Sequence, residues 1–382
     1  MKDDKIYHEC MQLTSQFKFC PMAFRVAMYR GCDFGCRYCF ANMNAFHEIG
    51  TGLSIWRHAD IEHVKKMFKL ALETDKESKS VIVELLRNRV PIHCGGMSDP
   101  FQGREKEMGL TKELLKLSKH YEYPIVFSTK TNCLPSKEYF DLLDPKLHAF
   151  QVSIMGWTPE YIRKWERNTT TAQERAEFVM LLRHDYDMWC SVRIQPIINK
   201  WEAVALMIAL SDTPSYYSIE HLHVIADSWA GQEALLEHCK GSKSFIQRGG
   251  LTEVKTVVKR QNAELLIKVA NSFGVKVGVA DNDLHAMSQS RCCCGTDTIG
   301  GAFDNYLKFN ECYMATGETN IKDLFIPKSN VRRHMNIGKG KPTVYVEDVV
   351  KQYIKDNLHL IPYTYRTSIE KQLFGFSRKK LF

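Results

Sequence analysis

The sequence predicts an α/β fold in which a mostly parallel sheet curls fully or partly into a barrel, followed by a cysteine-containing segment and a basic tail. Three observations lead there. From residue 23 to about residue 280, short apolar, β-branched runs alternate with amphipathic segments, the pattern of βαβ units with right-handed crossovers. The length of 382 residues supplies core for one large domain or for two to three smaller ones. A hydrophobic share of 44% and a charged share of 25% exclude wholesale disorder.

Each element rests on a local pattern. The first strand, residues 24–28, alternates Phe24, Val26 and Met28 with smaller or polar neighbours. Helical spacing of apolar residues follows over 61–73, then a strand over 90–94. A helix over 106–121 leads to the Ile-Val-Phe strand at 125–128, and a strand over 149–154 comes next. Helices are expected over 159–166, where Pro159 suits a first turn, and over 171–185. The strand at 191–197 alternates Val192, Ile194 and Pro196 with Arg193 and Gln195; a helix over 201–210 and strands at 221–225 and 275–279 complete the series. Residues 1–22 form an N-terminal extension, 23–284 the barrel, 285–325 the cysteine-containing segment and 326–382 the tail. Within the barrel, the polar and basic stretch 227–260 reads as an insertion or lid.

No run approaches the roughly 18 uninterrupted apolar residues of a transmembrane helix, and no apolar run follows the first residues as a secretory signal would. A cytoplasmic location is therefore expected, and with it a meaning for the 13 cysteines: metal ligands or reactive thiols more than disulfides. Cys10, Cys20, Cys133, Cys190 and Cys239 stand singly, as small buried hydrophobes do. Besides Cys94, taken up below, two groups stand out, Cys32/Cys36/Cys39 and Cys292/Cys293/Cys294 with Cys312 beyond.

The first group lies in Arg30-Gly31-Cys32-Asp33-Phe34-Gly35-Cys36-Arg37-Tyr38-Cys39-Phe40, directly after the first strand. Three thiolates on a glycine-punctuated loop can converge on one inorganic cluster, but cannot alone complete a four-coordinate structural zinc site; His47 is the candidate fourth ligand for that alternative. This spacing, with aromatics on both sides of the last cysteine, resembles the signature of the radical S-adenosylmethionine (radical SAM) superfamily. The resemblance implies a partial (β/α)6 barrel of TIM type. It implies a [4Fe–4S] cluster on Cys32, Cys36 and Cys39, with one iron open to the amine and carboxylate of SAM. Reductive cleavage of SAM to a 5′-deoxyadenosyl radical, fed by a one-electron donor such as a flavodoxin or ferredoxin, follows from it as well. By the same resemblance Gly95, Gly96 and Ser98 in His93–Pro100 form the turn at the amine of SAM. Lys130 pairs with its carboxylate, Ser153 meets the ribose, and Arg193, in the segment ending at Pro196, flanks the adenine.

Residues 24–200 resemble one branch most, spore photoproduct lyase and its relatives. The matches are Cys36-Arg37-Tyr38-Cys39, Ser98-Asp99-Pro100, Thr129-Lys130, Val152-Ser153-Ile154, Glu160 to Trp165, residues 172–176 and Gln195-Pro196-Ile197. That branch implies hydrogen abstraction from a nucleotide lesion, a cysteine that returns the hydrogen, and tyrosines that relay the radical. Tyr38 matches one relay position, whereas the second is Phe40. Gly96 stands where the donor cysteine would be, which leaves Cys94, two residues upstream, as the candidate donor.

The second group, Cys292, Cys293, Cys294 and Cys312, leaves three readings open: an auxiliary iron–sulfur cluster, a zinc clip, or unmetallated thiols. The tail carries the whole charge surplus. Residues 326–382 hold 12 Lys+Arg against 4 Asp+Glu, a net of +8, while the other 325 residues hold 40 of each. Tyr363, Tyr365, Phe374 and Phe376 interleave with those cations, which fits phosphate contact plus base stacking. The expected function is radical modification or repair of a nucleotide in DNA or RNA. Two alternatives are radical modification of a peptide or protein residue with an auxiliary cluster, and a non-catalytic iron–sulfur nucleic-acid-binding protein.

Overall fold

The computed structural model describes residues 5–14, 22, 24–39, 41, 56–76, 78, 80–130, 136–225, 228–230, 232–233, 245–248, 251–281, 283–290, 292–304 and 335–336. Its centre is a run of parallel strands: β1 (Phe24–Val26), β2 (Ile92–Cys94), β3 (Ile125–Thr129), β4 (His148–Ser153), β5 (Trp189–Ile197), β6 (Tyr216–His221) and β7 (Val277–Val279). Each lies beside its predecessor, as in a barrel. The sheet does not close: β7 is one edge, and beyond β1 come Met11–Thr14, antiparallel, and Met335–Asn336.

Register separates two faces, because strand side chains alternate. Cys94 is level with Phe127, Phe127 with Phe150, and Phe150 with Cys190; this face meets the helices, where Phe127 stacks on Phe150 at 5.5 Å and Phe150 meets Phe178 edge-on at 6.0 Å. The opposite, inner face is polar: Arg25, His93, Ser128, Gln151, Ser153, Arg193 and Ser218.

The helices outside are α1 (Ile61–Leu72), α2 (Val81–Arg87), α3 (Glu105–Met108), α4 (Leu110–Tyr121), α5 (Lys137–Phe140), α6 (Pro159–Trp165), α7 (Ala172–His184), α8 (Lys200–Leu210) and α9 (Thr256–Ser272). Helix α1 starts where Asp60 accepts the His63 N–H at 3.0 Å and buries Val64, Phe68 and Ala71 at helical spacing. Among the described residues no helix is long and apolar enough to cross a membrane.

Two expectations change, and one further helix appears. The helix over 106–121 is two, broken at Gly109, whose left-handed backbone (φ 62°) ends α3 and admits α4. The sixth barrel strand is Tyr216–His221, not 221–225. Its inner residues Ser218 and Glu220 hide its apolar half, while His223–Ile225 joins a separate antiparallel sheet with Phe245–Arg248 and Leu251–Val254. Residues 81–87 are helical although β-branched at the start. After β7 the chain turns back along it: Gln289 and Val277 exchange bonds of 2.9 Å, and Ser288 Oγ takes the Val279 N–H at 2.8 Å.

Candidate active site

The loop of Cys32, Cys36 and Cys39 sits at the C-terminal end of the strands, where barrels of this type place their chemistry. It is pinned from two sides. Gln102 accepts the Asp33 N–H and donates to the Gly31 carbonyl, both at 3.2 Å. Asn168 donates to the Asp33 carbonyl at 3.0 Å, and the Arg37 N–H reaches the Trp165 carbonyl at 2.9 Å. Gly31 and Gly35 take positive φ values of 97° and 58°, which folds the loop back so that its three thiols come within electrostatic reach of one another. Burial pushes the Cys32 thiol up to about 12 and the Cys36 thiol well above its ordinary value.

The three-thiol donor set fits an iron–sulfur cluster, which soft sulfur ligands bind and which draws off their protons. Among the described residues no three His, Cys, Asp or Glu side chains converge on a single ion; a cube of four irons takes its ligands over a wider span than one ion does.

Beside the thiols lies a buried charge network centred on Glu166. Its carboxylate, 1% exposed as a residue, pairs with Arg175 at 2.8 Å and Lys130 at 2.9 Å, and accepts the Tyr38 hydroxyl. Burial alone would raise this carboxyl, but Arg175 and Lys130 outweigh it and hold Glu166 at about 2. Lys130 also donates to Tyr38 Oη at 2.8 Å. Its ammonium thus has protein partners, and a ligand carboxylate there would join Glu166 as counter-charge. Asp99 anchors the next turn. It accepts the Lys130 N–H at 2.6 Å, the Phe101 N–H at 2.9 Å and the Thr129 hydroxyl at 2.9 Å, yet burial raises its carboxyl to about 6.

The glycine turn has a reason inside the protein. A Cβ on Gly95 (φ 114°) would stand 2.1 Å from the Ser128 carbonyl oxygen, so only glycine lets β2 leave the sheet this close to β3. Gly96 has no such constraint; its Cβ would meet His93 at 3.4 Å. Ser98 is buried and donates to the Tyr29 carbonyl, fastening the turn to the strand at Tyr29–Arg30.

Cys94 points away from all of this. Level with Val26 and Phe127, it lies on the helix side, fully buried, on the face opposite His93 and Ser128. The even two-residue offset from Gly96 does not bring its thiol inward, because the strand ends at Cys94 and Gly95 turns.

Ser153 and Arg193 are level on the inner face. The Ser153 carbonyl accepts from Arg175 at 2.7 Å, tying this strand end to the Glu166 network. Arg193 faces Glu220 at 3.6 Å, Gln195 donates to the same carboxylate, and Arg193 Nε is buried without a hydrogen bond. Burial, with Asp281 nearby, raises Glu220 to about 7 against the pull of Arg193. Deeper in the barrel His93 Nε2 lies 2.7 Å from Ser128 Oγ, which gives its only proton to Gln151 at 2.8 Å. His93 is therefore the donor, neutral and protonated on Nε2, in keeping with a pKa that burial and Arg193 lower to about 4.

Of the second cysteine group, Cys292, Cys293 and Cys294 stand together at the inner face of β7, and Cys312 lies outside the described residues, as do Phe40, His47 and the tail apart from Met335–Asn336. Sequence reasoning missed Glu166, Arg175, Gln195, Glu220 and the anchoring role of Asp99. The matched stretches do include Asp99, Arg175 and Gln195, though they assign none of them a role; Glu166 and Glu220 become site residues only through contacts with other elements.

No family model matches the chain, and no curated protein matches it. Among solved structures it is similar to a spore photoproduct lyase double mutant with bound AdoMet and dinucleoside spore photoproduct, with 12% identity and a TM-score of 0.46 over 66% of this chain and 73% of that one. It is also similar to a single mutant of that lyase with the dinucleoside photoproduct, with 13% identity and a TM-score of 0.46 over the same shares.

Proposed function

We propose that the chain is a radical SAM enzyme acting on a nucleotide in DNA or RNA. The observation that carries this reading is the pinned, half-buried loop of Cys32, Cys36 and Cys39 at the C-terminal mouth of an open parallel sheet, with Tyr38, Lys130 and Glu166 alongside. When bound, a [4Fe–4S] cluster with SAM supplies a one-electron cleavage that yields a hydrogen-abstracting radical.

The protein's own residues bind, orient and shield. Cys32, Cys36 and Cys39 release their protons to the cluster's acidifying pull. Gly95 and Gly96 present backbone at the strand end, and Ser153 and Arg193 line the inner face beyond it. Tyr38 is the candidate relay; Lys130 donates to its oxygen while it donates to Glu166, so its proton has a single defined acceptor. Cys94 drops out of the donor role because it faces the helices. The nucleic-acid assignment is supported by the charge surplus of residues 326–382, and the electron donor proposed is a flavodoxin or ferredoxin.

Anaerobic reconstitution with iron and sulfide tests the reading. About four irons per chain are expected on the three-cysteine loop, together with reductive release of 5′-deoxyadenosine from SAM, and Cys32→Ala should lose both. With an oligonucleotide deuterated at its sugars and bases, label should pass into 5′-deoxyadenosine. A reconstituted protein that binds iron and releases no 5′-deoxyadenosine with or without oligonucleotide would overturn the enzymatic reading.

A further inference from the structure

The loop after β7 holds two sulfur atoms that the proposed reaction leaves unused. Cys292 Sγ and Cys294 Sγ lie 2.8 Å apart, nearer than unbonded sulfurs rest and within about 0.8 Å of a bonded pair. Both residues are buried, 0% and 7% exposed. Thr296 Oγ1 reaches both, at 3.4 Å from Cys292 Sγ and 3.6 Å from Cys294 Sγ.

The backbone cannot drift away from this arrangement. Gly278 of β7 packs so tightly that a Cβ there would stand 2.0 Å from the Cys293 carbonyl oxygen, and one on Gly295 would stand 2.4 Å from the Tyr216 ring. Ser290 Oγ donates to the Cys292 carbonyl at 2.8 Å and meets Tyr216 Oη at 2.7 Å. Two thiols one residue apart on a loop pinned at both ends lose little freedom on joining. Beside the loop lies an open surface hollow of about 420 Å³, lined by Ser290, Asp297, Thr298, Lys276, Ser288 and Gln289.

We propose that Cys292 and Cys294 are a redox-active dithiol that closes to an intraloop disulfide by exchange with a small disulfide oxidant, RSSR. Cys294, the more exposed of the two, attacks one oxidant sulfur as thiolate and expels RS⁻. Cys292, after losing its proton, attacks Cys294 in the mixed disulfide and expels the second RS⁻. Two S–H bonds and the oxidant's S–S bond are lost. One S–S bond forms in the loop, and two protons and two electrons leave as two RSH. A zinc clip is the weaker reading: the Cys293 thiol also comes within hydrogen-bond reach of both sulfurs, but among the described residues no three His, Cys, Asp or Glu side chains are placed to hold a metal ion.

The full chain, equilibrated anaerobically with glutathione buffers from reduced to oxidised, quenched in acid, alkylated and digested with trypsin, tests this. The tryptic peptide of residues 292–308 should pass from three alkyl groups to one, on Cys293, with the loss of two hydrogens. Cys293→Ser should leave that transition in place, and Cys292→Ser should replace it by a glutathione adduct on Cys294. Three alkyl groups at every ratio, a disulfide to Cys293, or one zinc per chain that blocks alkylation until a chelator is added would each overturn the proposal.

Discussion

Glu166 is fully buried and Glu220 partly so, and their surroundings drive the two carboxylates in opposite directions. A buried carboxylate is costly unless cations and donors replace its hydration. Glu166 has Arg175 and Lys130 and stays ionised to about pH 2. Its replacement by glutamine would leave the fully buried Arg175 guanidinium without its ion pair. Glu166→Gln should therefore lower unfolding free energy by about 3–5 kcal/mol in a urea titration at pH 7, and an unchanged midpoint would show that the network is not holding the site. Glu220 has one distant cation and stays protonated to about pH 7, whereas an unfolded glutamate ionises near its ordinary value of about 4.3. Between those values the folded chain binds the extra proton, so stability falls as pH rises through that window. The melting temperature of wild type should drop relative to Glu220→Gln from pH 5 to pH 7; parallel curves for the two proteins would contradict the assignment. At this scale, the three loop cysteines were legible because their spacing alone limits what they can bind. Glu166 was not. Its partners Tyr38 and Arg175 lie on a different loop and a different helix, and nothing near residue 166 announces a buried charge.

Elements whose signals are local are legible in the sequence, and those that depend on neighbours are not. Helix α7 begins with a full capping box: Thr171 Oγ1 accepts the Glu174 N–H at 3.1 Å and Glu174 accepts the Thr171 N–H at 2.7 Å. Thr171→Ala should cost about 1 kcal/mol, within the range for an N-cap, read as a shift in the urea midpoint without a change in slope. The β6 strand shows the other case. Its inner face must be polar because the barrel interior here is a site, so Ser218 and Glu220 broke the apolar run by which strands are recognised, and the more apolar stretch just after it drew the assignment instead. The break at Gly109 is intermediate, since a glycine within a helical pattern either is tolerated or ends it, and Glu105 decides. Its carboxylate accepts the Thr111 and Lys112 N–H groups at 2.9 Å and so caps the helix that follows.

Across the whole molecule, charge and architecture divide. The first 325 residues balance 40 cations against 40 anions, and residues 326–382 carry the surplus of eight. If that segment meets phosphates, affinity of the full chain for a polynucleotide should fall steeply with salt. Removal of residues 326–382 should flatten that dependence while leaving 5′-deoxyadenosine formation intact; equal slopes for the two chains would place the contact elsewhere. The unclosed sheet poses a further problem. A terminal strand with idle N–H and carbonyl groups is a template on which another chain can polymerise. Here the outer rim of β7 is already taken, because the Gln289 side chain and N–H satisfy Val277 and the Ser288 hydroxyl satisfies Val279, leaving no run of idle backbone groups to extend. The stretch that follows the last strand thus insulates the open sheet from its neighbours in solution, and the mouth can stay wide without the molecule becoming a seed for fibres.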